Sequence, residues 1–261
     1  MPLDSNCIRQ ADTAGARLSA TAERAQSLLD RVRDLPTEEA LGLLIREEFK
    51  GEIALVSSFG AESAVLLHMV AQIDPATPVV FLDTGKLFGE TRRYKKKLVE
   101  LLGLTEVRTI LPDEERLKQE DPKGILWNGN ANMCCWVRKV EPMQRALDGL
   151  TAWISGRKRF QADTRSALEI VEAEGSQIKI NPLAYWTAED IEDYFTRYDL
   201  PRHPLVADGY LSIGCMPCTA PVEDGQDARS GRWKGQGKVE CGIHFSNTGT
   251  PERSSLTEQT N

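Results

Sequence analysis

No stretch of this sequence stays apolar for the roughly 20 positions a membrane-crossing helix requires. Its first 20 residues, polar and alanine-rich, contain no apolar core of a secretory signal. Both absences point to a cytoplasmic protein that does not enter a membrane. An excess of positive charge is also missing: 32 Lys and Arg stand against 39 Asp and Glu, a formal net charge of -7. That balance argues against a general binder of nucleic acid or anionic membrane, while leaving room for local basic patches. Two phosphate-binding signatures are absent as well, G-x-x-x-x-G-K-[ST] and a G-x-G-x-x-G placed after a strand. Internal repeats are absent too.

What is present begins with a core. The chain has 261 residues, 41% of them hydrophobic, enough for one large α/β domain or two small ones. The head, residues 1–20, reads as loose. Two amphipathic helices follow, one over about Ala22 to Leu35 and one after Pro36. The second takes Thr37 as its N-cap and Ala40, Leu41, Leu43, Leu44 and Ile45 as its apolar face. The pattern then alternates. Ile53 to Val56, Val79 to Leu82, Val107 to Leu111 and Ala152 to Ser155 are short apolar runs of the kind found in buried parallel strands. Ala61 to Ile73 and Glu90 to Leu102 have helical spacing, the latter with a basic face at Arg92, Arg93, Lys95, Lys96 and Lys97 that reads as solvated surface. This order predicts an α/β fold, a mostly parallel sheet with helices on both faces. Ligands in such sheets bind beyond the carboxyl ends of strands, where the loops at Ser57, Asp83 and Ser155 fall. Further on, Ala167 to Val171 and Ile178 to Ile180 are candidate strands, and Thr187 with Asp190 forms a capping box. Beyond Pro201, Gly, Pro and polar residues dominate. The expected division is an α/β domain with a metal-cluster site over residues 21–218 and a mobile tail over 219–261.

Six cysteines in a reducing compartment should mostly be thiols. Cys7 lies in the head and has no assigned role. Cys134 and Cys135 are adjacent, and Cys215 and Cys218 form a C-x-x-C pair, so four thiolates stand in two close pairs. Such a set suits an iron–sulfur cluster or zinc. Adjacent cysteines strain the geometry of one small ion, whereas a four-iron cluster offers each a separate corner. A redox pair and four merely buried cysteines are the other readings. Cys241, in Glu240-Cys241-Gly242-Ile243-His244, stands apart, with His244, Lys238, Arg232 and Arg229 near enough in sequence to favour its thiolate.

Anion-binding features accompany the thiols. Ser57 to Ser63 links a strand to a helix and offers backbone N–H groups and hydroxyls at a helix N-terminus. Gly156-Arg157-Lys158-Arg159 follows the fourth strand, and Arg138-Lys139 follows the adjacent cysteines. Cations at strand ends suit phosphate or sulfate.

These segments together resemble the thioredoxin-dependent assimilatory sulfonucleotide reductases. The resemblance runs from Ile53 to Phe245. It is carried by the Ser57–Ser63 loop, Leu82 to Leu87, Cys134 to Pro142, Ser155 to Arg159, Gly214 to Thr219, Ala228 to Trp233 and the Glu-Cys-Gly-x-His tail. It implies the adenine-nucleotide α-hydrolase-like fold and a [4Fe–4S] cluster on Cys134, Cys135, Cys215 and Cys218. It also implies a preference for adenosine 5′-phosphosulfate over the 3′-phosphorylated form. Cys241 would attack the substrate sulfur and expel AMP, and reduced thioredoxin would release sulfite from the resulting S-sulfocysteine. Lys139, Arg159, Arg229 and Arg232 would contact the phosphosulfate. Ser57, Gly60 and Glu62 would form the phosphate loop, and Asp83, Thr84 and Leu87 the nucleotide-binding strand end. Phe59 stands where relatives often carry serine, and Ile243 where leucine is usual. No thioredoxin-like domain follows Cys241, so the reductant is expected to be a separate protein. Homo-oligomerisation stays open. The competing functions are a reductase of the 3′-phosphorylated substrate, a tRNA-thiolating enzyme with a cluster, and a redox sensor without turnover.

Overall fold

The computed structural model describes residues 5–223, 225–234, 238 and 240–244, with side chains for all of these except residues 5–14 and 244. The side chains of Cys7 and His244 and all of Phe245 thus lie outside the described part. The head expected to be loose is instead helical from its fifth residue. Helix α1 runs from Ser5 to Val32 without a break, and Ala25, Leu28, Leu29 and Val32 are buried at helical spacing. It lies along the far edge of the sheet. Helix α2, Thr37–Leu43, follows, with a wider π turn over Leu44–Glu48 closed by the Phe49 N–H on the Leu44 carbonyl at 3.0 Å. Pro36, not Thr37, is the N-cap. The Thr37 hydroxyl instead accepts a hydrogen bond from the Trp186 indole at 2.9 Å, a tertiary contact that local sequence does not encode.

The strands are β1 Ile53–Val56, β2 Val79–Leu82, β3 Val107–Ile110, β4 Ala152–Ser155, β5 Val171–Glu174 and β6 Gln177–Ile180, in the order β3-β2-β1-β4-β6-β5. All neighbours are parallel except the β5–β6 hairpin. Helices α3 Ser63–Ile73 and α4 Gly89–Leu102 connect the first three strands. Short helices α5 Glu114–Glu120, α6 Leu126–Gly129, α7 Ala131–Cys135 and α8 Glu141–Ala146 lead into β4, and α9 Ala188–Arg197 follows β6. The Thr187–Asp190 capping box is present with both bonds.

Alternation along the strands divides the core into two layers. Ile53 and Leu55 of β1 join the large cluster beneath α1, α2, α3, α4 and α9, while Ala54, Val80 and Trp153 meet Met143 and Leu147 on the opposite face. Each fully buried Leu or Ile contributes about 1.5–3 kcal/mol relative to exposure. β1 goes to β2 on one side and pairs with β4 on the other, so the strand order reverses at their carboxyl ends and opens a crevice there. No helix among the described residues is long and apolar enough to cross a membrane.

One buried histidine makes stability depend on pH. His203 is fully enclosed, accepts the Leu205 N–H at Nδ1 and therefore donates from Nε2 to the Thr91 hydroxyl at 3.1 Å. Burial holds its pKa down at about 4, against an ordinary value of 6.5 and despite the nearby charge of Glu90. The stability carried by the neutral ring is thus complete above pH 6.5 and is lost as pH falls from 6.5 through about 4. Denaturant titrations across that range should show a loss of up to about 3 kcal/mol. His203→Gln should be less stable at pH 7 and show a shallower slope; an unchanged slope would exclude His203 as the source.

Candidate functional site

The crevice beyond β1 and β4 is a cavity of about 460 Å³, within the size range of a small-molecule site. Its floor is the loop after β1. Ser57 Oγ accepts the Phe59 N–H at 3.2 Å, and Ser63 Oγ accepts the Gly60 N–H at 2.8 Å. Phe59 adopts a φ of 49°, which turns its ring into the core, edge-on to Phe81 at 5.4 Å. Replacing a hydroxyl residue with Phe59 therefore removes nothing from the cavity, because this position faces inward. Gly60 passes close to the Ile213 carbonyl, where a Cβ would sit only 3.3 Å away. Glu62 lines the cavity, but its carboxylate is taken by Lys158 at 2.9 Å and Gln161 at 2.8 Å.

The cysteine helix borders the same cavity. α7 continues through a π turn, Trp136–Val140, into α8, and the Glu141 N–H bonds back to the Trp136 carbonyl. Pro142 explains the widened turn: it lacks an N–H, and its ring would clash with the carbonyl four residues earlier in a regular α-helix. The turn sends Arg138 and Lys139 in different directions. Arg138 is buried and bolts three segments together, bonding Asp121 Oδ2 at 2.6 Å and the Thr84 carbonyl at 2.8 Å. Lys139 faces the cavity.

Cys134, Cys135, Cys215 and Cys218 all line one small void of about 10 Å³, with Arg138, Lys139 and Trp233 beside them. The C-x-x-C pair is held there by a 3₁₀ turn, by the Met216 N–H on the Lys86 carbonyl at 2.8 Å and by Cys215 Sγ against Thr84 Oγ1 at 3.2 Å. The lining includes no carboxylate or imidazole among the described residues. No three His, Cys, Asp or Glu groups among them form a preformed site for a single metal ion. An all-sulfur donor set in two pairs has the chemistry for an iron–sulfur cluster. Burial pushes the Cys134 thiol up to about 11, so its ionisation needs positive charge close by, which a bound cluster's iron would provide.

Cys241 is buried in the wall of the large cavity and meets Cys135. Its pKa is lowered by the hydrogen bond from Cys135 and, against burial, by the charges of Lys139 and Arg232. Burial opposes the charge on Lys139, but the attraction of the surrounding cysteine sulfurs, Cys215 and Cys241 foremost, outweighs it and raises its pKa. The part of the tail expected to be mobile is thus packed where it is described. Glu240 is buried and bridges Arg165, at 2.7 Å, and Arg229, at 3.1 Å. Lys139 and Arg232 face the cavity with no carboxylate partner among the described residues, and Arg232 Nε is buried without any hydrogen-bond partner. Gly214 makes room for that guanidinium, since a Cβ there would lie 2.3 Å from Arg232 Nη2. Trp233, itself at a φ of 48°, lies under Arg232 at 4.3 Å.

Ser57, Gly60, Glu62, Thr84, Leu87, Lys139, Arg229, Arg232 and Cys241 therefore come together on one cavity. Two expected residues do not. Asp83 bends back onto its own turn, accepting the Gly85 N–H and both Arg92 donors at 3.0 Å. Arg159 points away to the Leu168 carbonyl, Glu169 and the face of Tyr185. The short turn after β4 rotates Arg159 outward, and Arg165 lines the cavity with Arg157 and Lys158. Arg157 is paired with Glu172 at 2.8 Å. Arg165 carries no sequence signal beyond being a further cation on the β4–β5 connection.

Sheet order, crevice and cation cluster define an adenine-nucleotide α-hydrolase-like α/β protein. The model of the phosphoadenosine phosphosulfate reductase domain matches residues 52–221. The chain is 52% identical over 238 residues to the adenosine 5′-phosphosulfate reductase of Mesorhizobium japonicum, covering 91% of this chain and 94% of that one. It is 54% identical over 196 residues to the enzyme of the same name from a Chelativorans species, covering 75% and 80%. The crystal structure of phosphoadenylyl-sulfate reductase from Candida auris superposes with a TM-score of 0.64 at 27% identity, covering 76% of this chain and 97% of that one. FMN adenylyltransferase from Candida glabrata shares the fold at a TM-score of 0.51 and 15% identity, over 78% of this chain and 75% of that one. The chain belongs to the phosphoadenosine phosphosulfate reductase family of enzymes.

Proposed function

We propose that this chain reduces adenosine 5′-phosphosulfate to sulfite and AMP, with Cys241 as the nucleophile. The observation that carries the reading is the sharing of one cavity by the Cys241 thiol and the cations Lys139, Arg165, Arg229 and Arg232. The relatives from Mesorhizobium japonicum and the Chelativorans species are adenosine 5′-phosphosulfate reductases. Glu62 is matched by Lys158 and Glu172 by Arg157. Four cations then face the Glu240 and Asp227 carboxylates and one thiolate, which leaves net positive charge for an anionic phosphosulfate.

The adenosine occupies the apolar part of the crevice, and the phosphosulfate lies among the cations. The Cys241 thiolate attacks the sulfuryl sulfur. The bond from that sulfur to the bridging oxygen breaks, and AMP leaves with the electron pair. Lys139 and the arginines stabilise charge growing on the leaving phosphate. Cys241 then carries an S-sulfonate. A thiolate of a reduced dithiol protein of the thioredoxin kind attacks Cys241 Sγ and releases sulfite, and its second thiol resolves the mixed disulfide. The dithiol is thereby oxidised and supplies the two electrons. Cys134, Cys135, Cys215 and Cys218 would hold a [4Fe–4S] cluster, which when bound would fix the cysteine helix and set the electrostatic surroundings of Lys139.

Anaerobic incubation with adenosine 5′-phosphosulfate and no dithiol should place one sulfonate per chain on the Cys241 peptide, read by mass spectrometry, with one equivalent of AMP. AMP release without a sulfonated peptide would rule out the covalent route. Faster turnover of the 3′-phosphorylated substrate would reassign the substrate and leave the route intact.

A further inference from the structure

Glu240 is the residue next to the nucleophile, and it has no role in the scheme above. Its side chain is 4% exposed, and that of Arg165 is equally enclosed. Both Nε and Nη2 of Arg165 meet Glu240 Oε2 at 2.7 Å, while Arg165 Nη1 bonds Gln161. Arg229 Nη2 donates to Oε1 at 3.1 Å, and the same oxygen accepts the N–H of Cys241 at 2.9 Å. Two guanidinium groups anchored in separate segments, the β4–β5 connection and the turn before Trp233, therefore grip one carboxylate, and that carboxylate grips the backbone of the nucleophile. Charge-assisted bonds of this kind are short and directional, and breaking a buried set is strongly unfavourable. The opposite face of the Cys241 turn rests on the cysteine helix, where a Cβ at Gly242 would meet Val140 at 3.1 Å. The turn is thus clamped from both sides.

We infer that Glu240 is a positioning residue. Its carboxylate, held by Arg165 and Arg229, docks the tail and fixes the Cys241 sulfur in the cavity wall. The inference rests on the reading of Cys241 as nucleophile. It adds a coupling: the arginines that line the substrate cavity also hold the segment that attacks the substrate. Nucleophile placement and anion placement then share one set of side chains, so an error in one is felt by the other.

The test uses the full cluster-loaded chain and the variants Glu240→Gln and Glu240→Asp. The first measurement is alkylation of Cys241 by iodoacetamide without nucleotide, followed by peptide mass spectrometry across pH. Glu240→Gln should raise the high-pH plateau at least tenfold, because an undocked sulfur is reached more often. A shift of the midpoint alone would mean that the carboxylate acts only through its charge, and would overturn the proposal. The second measurement is the single-turnover rate of S-sulfonation at saturating substrate. It should fall at least tenfold in Glu240→Gln with AMP affinity changed less than threefold, and Glu240→Asp should lie between. AMP affinity rising tenfold with an unchanged plateau would make Glu240 a competitor of substrate rather than a clamp, and would also overturn it. Absence of any sulfonate on the unaltered chain would remove the reading of the activity, while the alkylation plateau would still decide whether Glu240 docks the tail.

Discussion

Cys241→Ser is expected to abolish sulfite release, lowering turnover by at least about a thousandfold, as removal of a covalent nucleophile does. Thiolate chemistry sets that size. A hydroxyl is far harder to ionise than a thiol, and the surroundings of Cys241, with the charges of Lys139 and Arg232 acting on it, are suited to an anion rather than to a base that could activate serine. No histidine lines the cavity among the described residues to take the proton. Serine fits the same space, so packing around Cys135 and Gly242 should survive. Iron content per chain, measured on anaerobically purified protein, should therefore equal that of the unaltered protein. Unaltered iron with lost sulfite release separates nucleophile from cluster. Retained turnover would remove Cys241 from the mechanism.

The second large effect distinguishes two arginines on one connection. Arg165→Ala should lower kcat/KM by about a hundredfold or more, whereas Arg159→Ala should change it by less than about threefold. Arg165 is buried, lines the cavity and holds Glu240, so its loss leaves a buried carboxylate beside the nucleophile with Arg229 as its one remaining guanidinium partner among the described residues. Truncating one partner of such a pair costs about 3–5 kcal/mol. Arg159 is more than a third exposed, paired with an equally exposed Glu169 and stacked on Tyr185, outside the cavity. Steady-state kinetics on the two variants, with a thermal melt to register the weakened ion-pair network, decide between them. Equal losses would restore Arg159 to the site. A loss confined to Arg159 would mean that the cations reorganise when substrate binds.

The two arginines also mark the limit of local sequence. A cation in a loop after a parallel strand can be placed at the ligand-binding end of the sheet, and Arg157, Lys158, Arg159 and Arg165 all qualify. Which of them faces inward depends on the rotation of a 3₁₀ turn and on where Glu169, Glu172 and Tyr185 await each guanidinium, the last two on other segments. Asp83 follows the same logic. Its position at the end of β2 was legible, but its side chain is taken by Gly85 and by Arg92, one turn along α4. Thr37 reads locally as a cap, yet its hydroxyl serves Trp186, 149 residues further along the chain.

The sequence by itself determined the parallel sheet, the helices between its strands, the pairing of four cysteines by type and spacing, and the isolation of a fifth. Each of these follows from periodicity, side-chain chemistry or near-neighbour spacing, which a linear chain carries openly. Only the tertiary structure decided that residues 5–20 extend the first helix, that the Cys241 turn is packed against Cys135, and that Glu240 joins Arg165 to Arg229. Those outcomes depend on contacts between segments far apart in the chain, where burial makes an ion pair or a hydrogen bond obligatory but leaves the choice of partner to the fold.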